Sequence, residues 1–291
     1  MRRTLVLATV VLAALGIAPA AHATRSLDVV ALGDSYASGT GAGAYHDGTA
    51  GNCWRSANSY GELVAARLRS QHRLASFTNA TCSGAATADL ARPFKDRPAQ
   101  LDSLRPGTDL VLLTVGTNDI DYSSCGSLCV QADCTGAPTA GILAKLPAMG
   151  QNVTALIREI HVRSPYARVV VVGHGRQVST SDNPDGATLD PICGDGVLTT
   201  AERREGNQVA DGIDGTLRSA VAAARGVNVQ YVSPFAQPGV PRPAFEGHAL
   251  CEAGTPFLRG FDALAPGQEG PEAVFHLNQD GQAALAALVR V

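Results

Sequence analysis

Aromatic residues supply only 5% of this chain, with one tryptophan among 291 residues. A platform of stacked rings for a carbohydrate is therefore disfavoured. No Gly-x-Ser-x-Gly pentapeptide occurs, which removes the nucleophile elbow of the common α/β-hydrolase arrangement. No basic stripe offers a footprint for nucleic acid. Beyond the amino-terminal segment no apolar run reaches the roughly 18 residues of a membrane-spanning helix. Metal patterns are incomplete as well. Cys125, Cys129 and Cys134, spaced Cys-x₃-Cys-x₄-Cys, lack a fourth ligand nearby. Asp182-Asn183-Pro184-Asp185-Gly186 lacks the acidic spacing and closing Glu of a calcium loop. Neither a metal nor another cofactor is expected. No Pro/Ser-rich linker divides the chain, so one domain is the default.

What is present begins with Met1-Arg2-Arg3, an apolar stretch from Leu5 to Ile17, and Ala21-His22-Ala23. A basic start, an apolar centre and a small-x-small site describe a secretory signal peptide over residues 1–23. Cleavage after Ala23 leaves residues 24–291 as an extracellular domain and, by removing Arg2 and Arg3, moves the formal charge from −3 to −5. Export also favours disulfides among the seven cysteines.

Strand and helix patterns then alternate, as a parallel sheet with crossover helices requires. Apolar runs at 27–32, 110–115, 169–172 and 227–232 read as buried strands, with a weaker one at 76–80. Helical spacing covers 59–68 and 143–162, Thr199-Thr200-Ala201-Glu202 reads as a capping box opening another helix, and a last helix follows Asn278.

The first strand stops at Gly33-Asp34-Ser35 and so delivers one small hydroxyl to the carboxyl edge of the sheet. Three further segments follow: Cys82-Ser83-Gly84-Ala85, Gly116-Thr117-Asn118-Asp119 and Phe275-His276-Leu277-Asn278. Their order resembles the blocks of the SGNH/GDSL hydrolases, over nearly all of the chain from Leu27, and most closely the secreted actinobacterial esterases and lipases. The resemblance implies a single-domain three-layer α/β/α sandwich on a mainly parallel five-stranded sheet, flavodoxin-like in order. It also implies an esterase or lipase with Ser35 as nucleophile, His276 as base, and an oxyanion hole from the Ser35 and Gly84 amides and the Asn118 side chain. The chemistry agrees: acyl transfer needs a hydroxyl within reach of a base, and donors aimed at the oxygen that becomes negative.

Two positions depart from the pattern. Ala273 stands where many members carry the Asp that fixes the imidazole tautomer, and Leu277 where Pro is frequent. The expected substitute is the Ala273 backbone carbonyl, with the Glu272 carboxylate as second choice. The family-like arrangement implies the bridges Cys53–Cys82 and Cys193–Cys251. The middle three cysteines allow one bridge and one leftover, in any of three pairings; Cys129–Cys134 with Cys125 free is the expected one. Among other candidates, His174 is expected at the rim of the cleft, His248 as a packed imidazole, His161 as exposed, Asp34 as a brace for the Ser35 loop and Asp119 as a helix cap. Segments 45–54 and 235–261, with Phe235, Phe245, Phe257, Leu258 and Phe261, are expected to wall the groove. The substrate is expected to be a small-molecule or lipid ester and the protein a monomer. Three alternatives stay open: a phospholipase A, a sugar acetylesterase, or a catalytically dead secreted binding module.

Overall fold

Strands of a parallel sheet covered on both faces must be apolar throughout, and the central runs of this chain are. The computed structural model describes residues 25–46, 48–194 and 196–291, Cys125 by its backbone alone; the leader assigned to 1–23 and the thiol state of Cys125 lie outside what is described. Along it run β1 (Leu27–Gly33), α1 (Ser35–Ser38), α2 (Tyr60–Ser70), β2 (Leu74–Asn79), β3 (Leu110–Thr114), α3 (Tyr122–Gln131), α4 (Ala137–Leu143), α5 (Leu146–Arg163), β4 (Arg168–Val172), α6 (Thr200–Ala223), β5 (Val229–Val232), β6 (Phe235–Gln237), β7 (Val240–Pro241) and α7 (Gln279–Leu288). All five residues of β3 are buried, whereas β2 and β5 at the edges are half exposed: the weak signal at 76–80 fits its edge position, and the run at 227–232 is not the buried strand expected.

The five strands pair in parallel in the order β2-β1-β3-β4-β5. Helix α2 packs with α7 and α5 with α6, giving the outer layers of an α/β/α sandwich. The chain order reverses between β1 and β3, and a crevice opens at such a switch point beyond the carboxyl ends of the strands. β1 ends on the motif residue Gly33, and β3 runs into the motif that begins at Gly116, two residues past its end. No helix among the described residues is long and apolar enough to cross a membrane.

Capping sets several boundaries. Thr199 and Glu202 exchange hydrogen bonds at the start of α6, with Thr199 N to Glu202 Oε2 at 2.8 Å, and the Asn278 side chain accepts from Gly281 N at 2.9 Å at the start of α7. The helical pattern read as one run over 143–162 is interrupted: α4 ends at Leu143 and α5 starts at Leu146, with Pro147 in its first turn, where a missing N–H costs nothing. Three disulfides are closed, Cys53–Cys82, Cys129–Cys134 and Cys193–Cys251. Cys125 and Cys129 lie on α3.

Candidate active site

The Ser35 turn depends on one glycine. Gly33 has φ +133°, and a Cβ there would lie 1.9 Å from the Thr114 carbonyl oxygen of the neighbouring strand, so no other residue lets β1 lie this close. Its backbone is stapled by Gln100, which accepts from Gly33 N at 2.7 Å and donates to Gly33 O at 2.9 Å. Asp34 then caps α1, accepting from Tyr36 N at 3.0 Å. Ser35 is thereby fixed as the first residue of a short helix, its amide without an acceptor among the described residues.

Two loops approach from β2 and β3. Gly84 sits in the left-handed region at φ +84°, and its amide likewise has no acceptor among the described residues. Asn118 donates one amide proton to Ala85 O at 3.0 Å. That bond ties the two loops together and leaves its second N–H for the cleft. Asp119 does not cap a helix. It accepts from Thr87 N at 3.0 Å and Asn152 Nδ2 at 3.0 Å, also contacts the Thr87 hydroxyl, and so holds the same loops from behind.

His276 comes from the other end of the chain. Residues 257–259 pair with 275–278 through Phe275 N to Arg259 O, Arg259 N to His276 O and Asn278 N to Phe257 O at 2.8–2.9 Å. This ladder delivers the imidazole to the serine, with Nε2 at 2.7 Å from Ser35 Oγ. On its other side Nδ1 faces the Val274 carbonyl at 3.1 Å. The Ala273 carbonyl is not the acceptor: it takes the His276 backbone N–H at 3.0 Å in a tight turn, and the ring meets Val274 O instead. Glu272 makes no hydrogen bond to the ring and acts on it only through its charge. Phe275, between Val274 and His276, is left-handed at φ +63°, a conformation that costs a bulky residue about 1–3 kcal/mol.

Burial lowers the His276 pKa from its ordinary 6.5, partly offset by the Val274 carbonyl and the nearby charges of Asp34 and Glu272. The ring is thus held neutral at pH 7, with Nε2 free to accept a proton.

His174 is not at the rim. It is buried behind the Ser35 turn, with Nε2 at 3.3 Å from Asp34 Oδ2 and 3.4 Å from Thr117 Oγ1 and its ring edge-on to Tyr36. Asp34 thus braces the serine turn and meets a second imidazole. His248 stacks on Phe257 at 4.0 Å, and His161 is half-buried rather than exposed.

Ser35, Gly84, Asn118 and His276 open into one cleft of about 410 Å³, also lined by Tyr122, Gly126, Val130, Phe261, Leu264 and Phe275. The expected walls are largely elsewhere. Phe235 is core, Phe245, Phe257 and Leu258 line a separate cavity of about 20 Å³, and Tyr45 and Trp54 pack on each other at 4.9 Å. Only Phe261 of that group reaches the cleft. Helix α3 is the unforeseen wall, and Tyr122, Gly126 and Val130, spaced by four, were its available signal. A larger groove of about 800 Å³ between α5 and α6 shares no residue with the cleft, and Arg158 is its sole ionisable lining side chain.

Comparison with known proteins agrees with this fold. Residues 31–284 match the GDSL-like lipase/acylhydrolase family. A lipase of Streptomyces rimosus is 34% identical over 259 residues, covering 87% of this chain and 84% of that one. The crystal structure of an extracellular lipase from Streptomyces rimosus superposes with a TM-score of 0.70 at 28% identity, over 91% of this chain and 100% of that one. That of phospholipase A1 from Streptomyces albidoflavus NA297 does so with a TM-score of 0.68 at 26% identity, over 90% and 96%.

Proposed function

The chain belongs to the GDSL-like lipase/acylhydrolase family and is a carboxylic ester hydrolase, and from that premise we propose that it works outside the cell through an acyl-enzyme on Ser35, with His276 as general base. The observation that carries this reading is the 2.7 Å contact between Ser35 Oγ and His276 Nε2. Oγ attacks the ester carbonyl carbon as Nε2 takes its proton. The carbonyl oxygen, now negative, is received by the Ser35 and Gly84 amides and the free N–H of Asn118. Collapse of the tetrahedral intermediate breaks the bond to the alcohol oxygen, which leaves with the proton from Nε2. Water, deprotonated by the same nitrogen, then adds to the acyl carbon, and the second collapse returns the proton to Ser35 and frees the acid.

A neutral carbonyl does one of the two jobs of a triad carboxylate. By accepting from Nδ1–H, Val274 O selects the tautomer that leaves Nε2 basic. It stabilises the imidazolium less than a carboxylate does, since charge-assisted hydrogen bonds are roughly twice as strong as neutral ones. The roughly 10⁴-fold loss seen when a triad acid is replaced by its amide reflects a wrong tautomer, and this dyad avoids that loss.

The apolar side chains of the cleft favour an acyl chain, and the likeness to a phospholipase A1 makes a phospholipid ester the second substrate to try. Ser35→Ala and His276→Ala should each lose at least about 10³-fold in kcat on p-nitrophenyl esters. Retained turnover in either variant would refute the assignment.

A further inference from the structure

We infer that Tyr36 and Gln177 are positioning residues that replace the missing acid of the triad by clamping the Phe275 carbonyl, and that this clamp holds the Val274 carbonyl on His276. The inference rests on the Ser35–His276 reading above. The Tyr36 hydroxyl donates to Phe275 O at 2.7 Å, while Gln177 Nε2 donates one proton to the Tyr36 oxygen at 2.6 Å and the other to Phe275 O at 3.2 Å. Three polar groups thus close a triangle on a single backbone oxygen.

That oxygen belongs to the left-handed residue between acceptor and base. The φ of Phe275 decides how the preceding peptide, which carries the Val274 carbonyl, is turned toward the imidazole. On its other edge the same residue is held by Phe275 N to Arg259 O at 2.8 Å. A bulky side chain does not keep a left-handed φ unless its surroundings enforce it. Without the clamp, Phe275 relaxes, the Val274 carbonyl swings away from Nδ1 and the ring loses its preferred tautomer. Tyr36 directly follows the nucleophile and its ring lies 5.3 Å from that of His276, so the clamp also sets the base in register with the serine. Gln177 is half-buried at the edge of the cleft, beyond the end of β4.

The test uses Tyr36→Phe, Gln177→Ala and Gln177→Glu beside Ser35→Ala and His276→Ala in the full-length protein. Steady-state kcat and KM are read on p-nitrophenyl butyrate, and long-range ¹H–¹⁵N NMR of histidine-labelled protein reads the His276 tautomer. Tyr36→Phe and Gln177→Ala should each lower kcat by about 10- to 100-fold with KM nearly unchanged, the scale of a small misplacement of a reacting group. The Nδ1–H form should give way to a mixture. Gln177→Glu keeps the shape but cannot donate at pH 8, so it should lose at least as much as Gln177→Ala; a merely space-filling role predicts wild-type kcat. Should Tyr36→Phe not fold, the two Gln177 variants decide alone. Wild-type kcat within twofold and an unchanged Nδ1–H tautomer in Gln177→Glu would overturn the clamp while leaving the dyad intact. Activity surviving in Ser35→Ala or His276→Ala would overturn both.

Discussion

Replacing Asn118 by Ala removes the one side-chain donor from the proposed oxyanion site and leaves two backbone amides, those of Ser35 and Gly84, in place. Loss of a single donor of this kind lowers kcat by about 10²- to 10³-fold, or about 2.7–4 kcal/mol of transition-state stabilisation. The folded state suffers less. Only the bond from Asn118 Nδ2 to Ala85 O is lost, and although Ala85 is itself buried, truncating the half-buried Asn118 opens space for a water at its carbonyl. A cost of about 1 kcal/mol should shift Tm by about 2–4 °C in a chain of this size. Initial rates on p-nitrophenyl butyrate, with a thermal melt of the same preparation, separate the two effects. The signature is a large fall in kcat beside a small fall in Tm, with KM little altered. Asn118→Ala within threefold of wild-type kcat, in a preparation where Ser35→Ala is inactive, would refute the assignment of this donor.

Because burial lowers the His276 pKa and only the neutral ring accepts a proton, kcat/KM should rise with pH through a midpoint below 6.5 and then level off; a midpoint above 7 in the free enzyme contradicts this. The same depressed pKa means the unfolded chain binds more protons as pH falls through 6.5, so ΔG of unfolding measured in urea should decline on the acid side. Glu272→Gln should change kcat by less than about tenfold, since the Val274 carbonyl and not Glu272 holds Nδ1, whereas a loss near the roughly 10⁴-fold of a true triad acid would reinstate it. Gly33→Ala forces a Cβ into the Thr114 carbonyl and should destabilise the fold by at least about 3 kcal/mol, read as a fall in the urea midpoint; wild-type stability would show that the strand gap is not as tight as described. With three bridges among seven cysteines, the denatured, unreduced protein should show one reactive thiol per chain, and three thiols would mean that a bridge is absent.

Where a local rule governs, the sequence was legible. The central strands announce themselves because both faces are covered, and Thr199 and Asn278 mark helix starts because their side chains must satisfy free amides. Ser35 and His276 stand in recognisable blocks, and the pairing of 257–259 with 275–278 brings together residues 241 positions apart. What escaped depends on long-range geometry or on weak propensity. Helix α3, with three Ser, a Gly and two Cys in ten residues, is poor in strong helix formers, so the wall it forms was hidden. The choice of Val274 over Ala273 turns on one left-handed phenylalanine, a conformation that no residue preference announces. His174 looked like a rim residue because nothing local shows that Asp34, 140 positions away, faces it. The buried amides Gln100 and Gln282 are legible only afterwards. Gln100 staples Gly33, and Gln282 joins Tyr60 N to Tyr36 O at 2.8 and 3.0 Å.

The most direct test of the account is the site of covalent capture. The protein is treated with a fluorophosphonate, digested and mapped by mass spectrometry, with His276→Ala treated in parallel. The account predicts one phosphonyl group per chain, on Ser35, and labelling slowed by orders of magnitude in the histidine variant. A label on another residue, or equal labelling rates with and without His276, would contradict it.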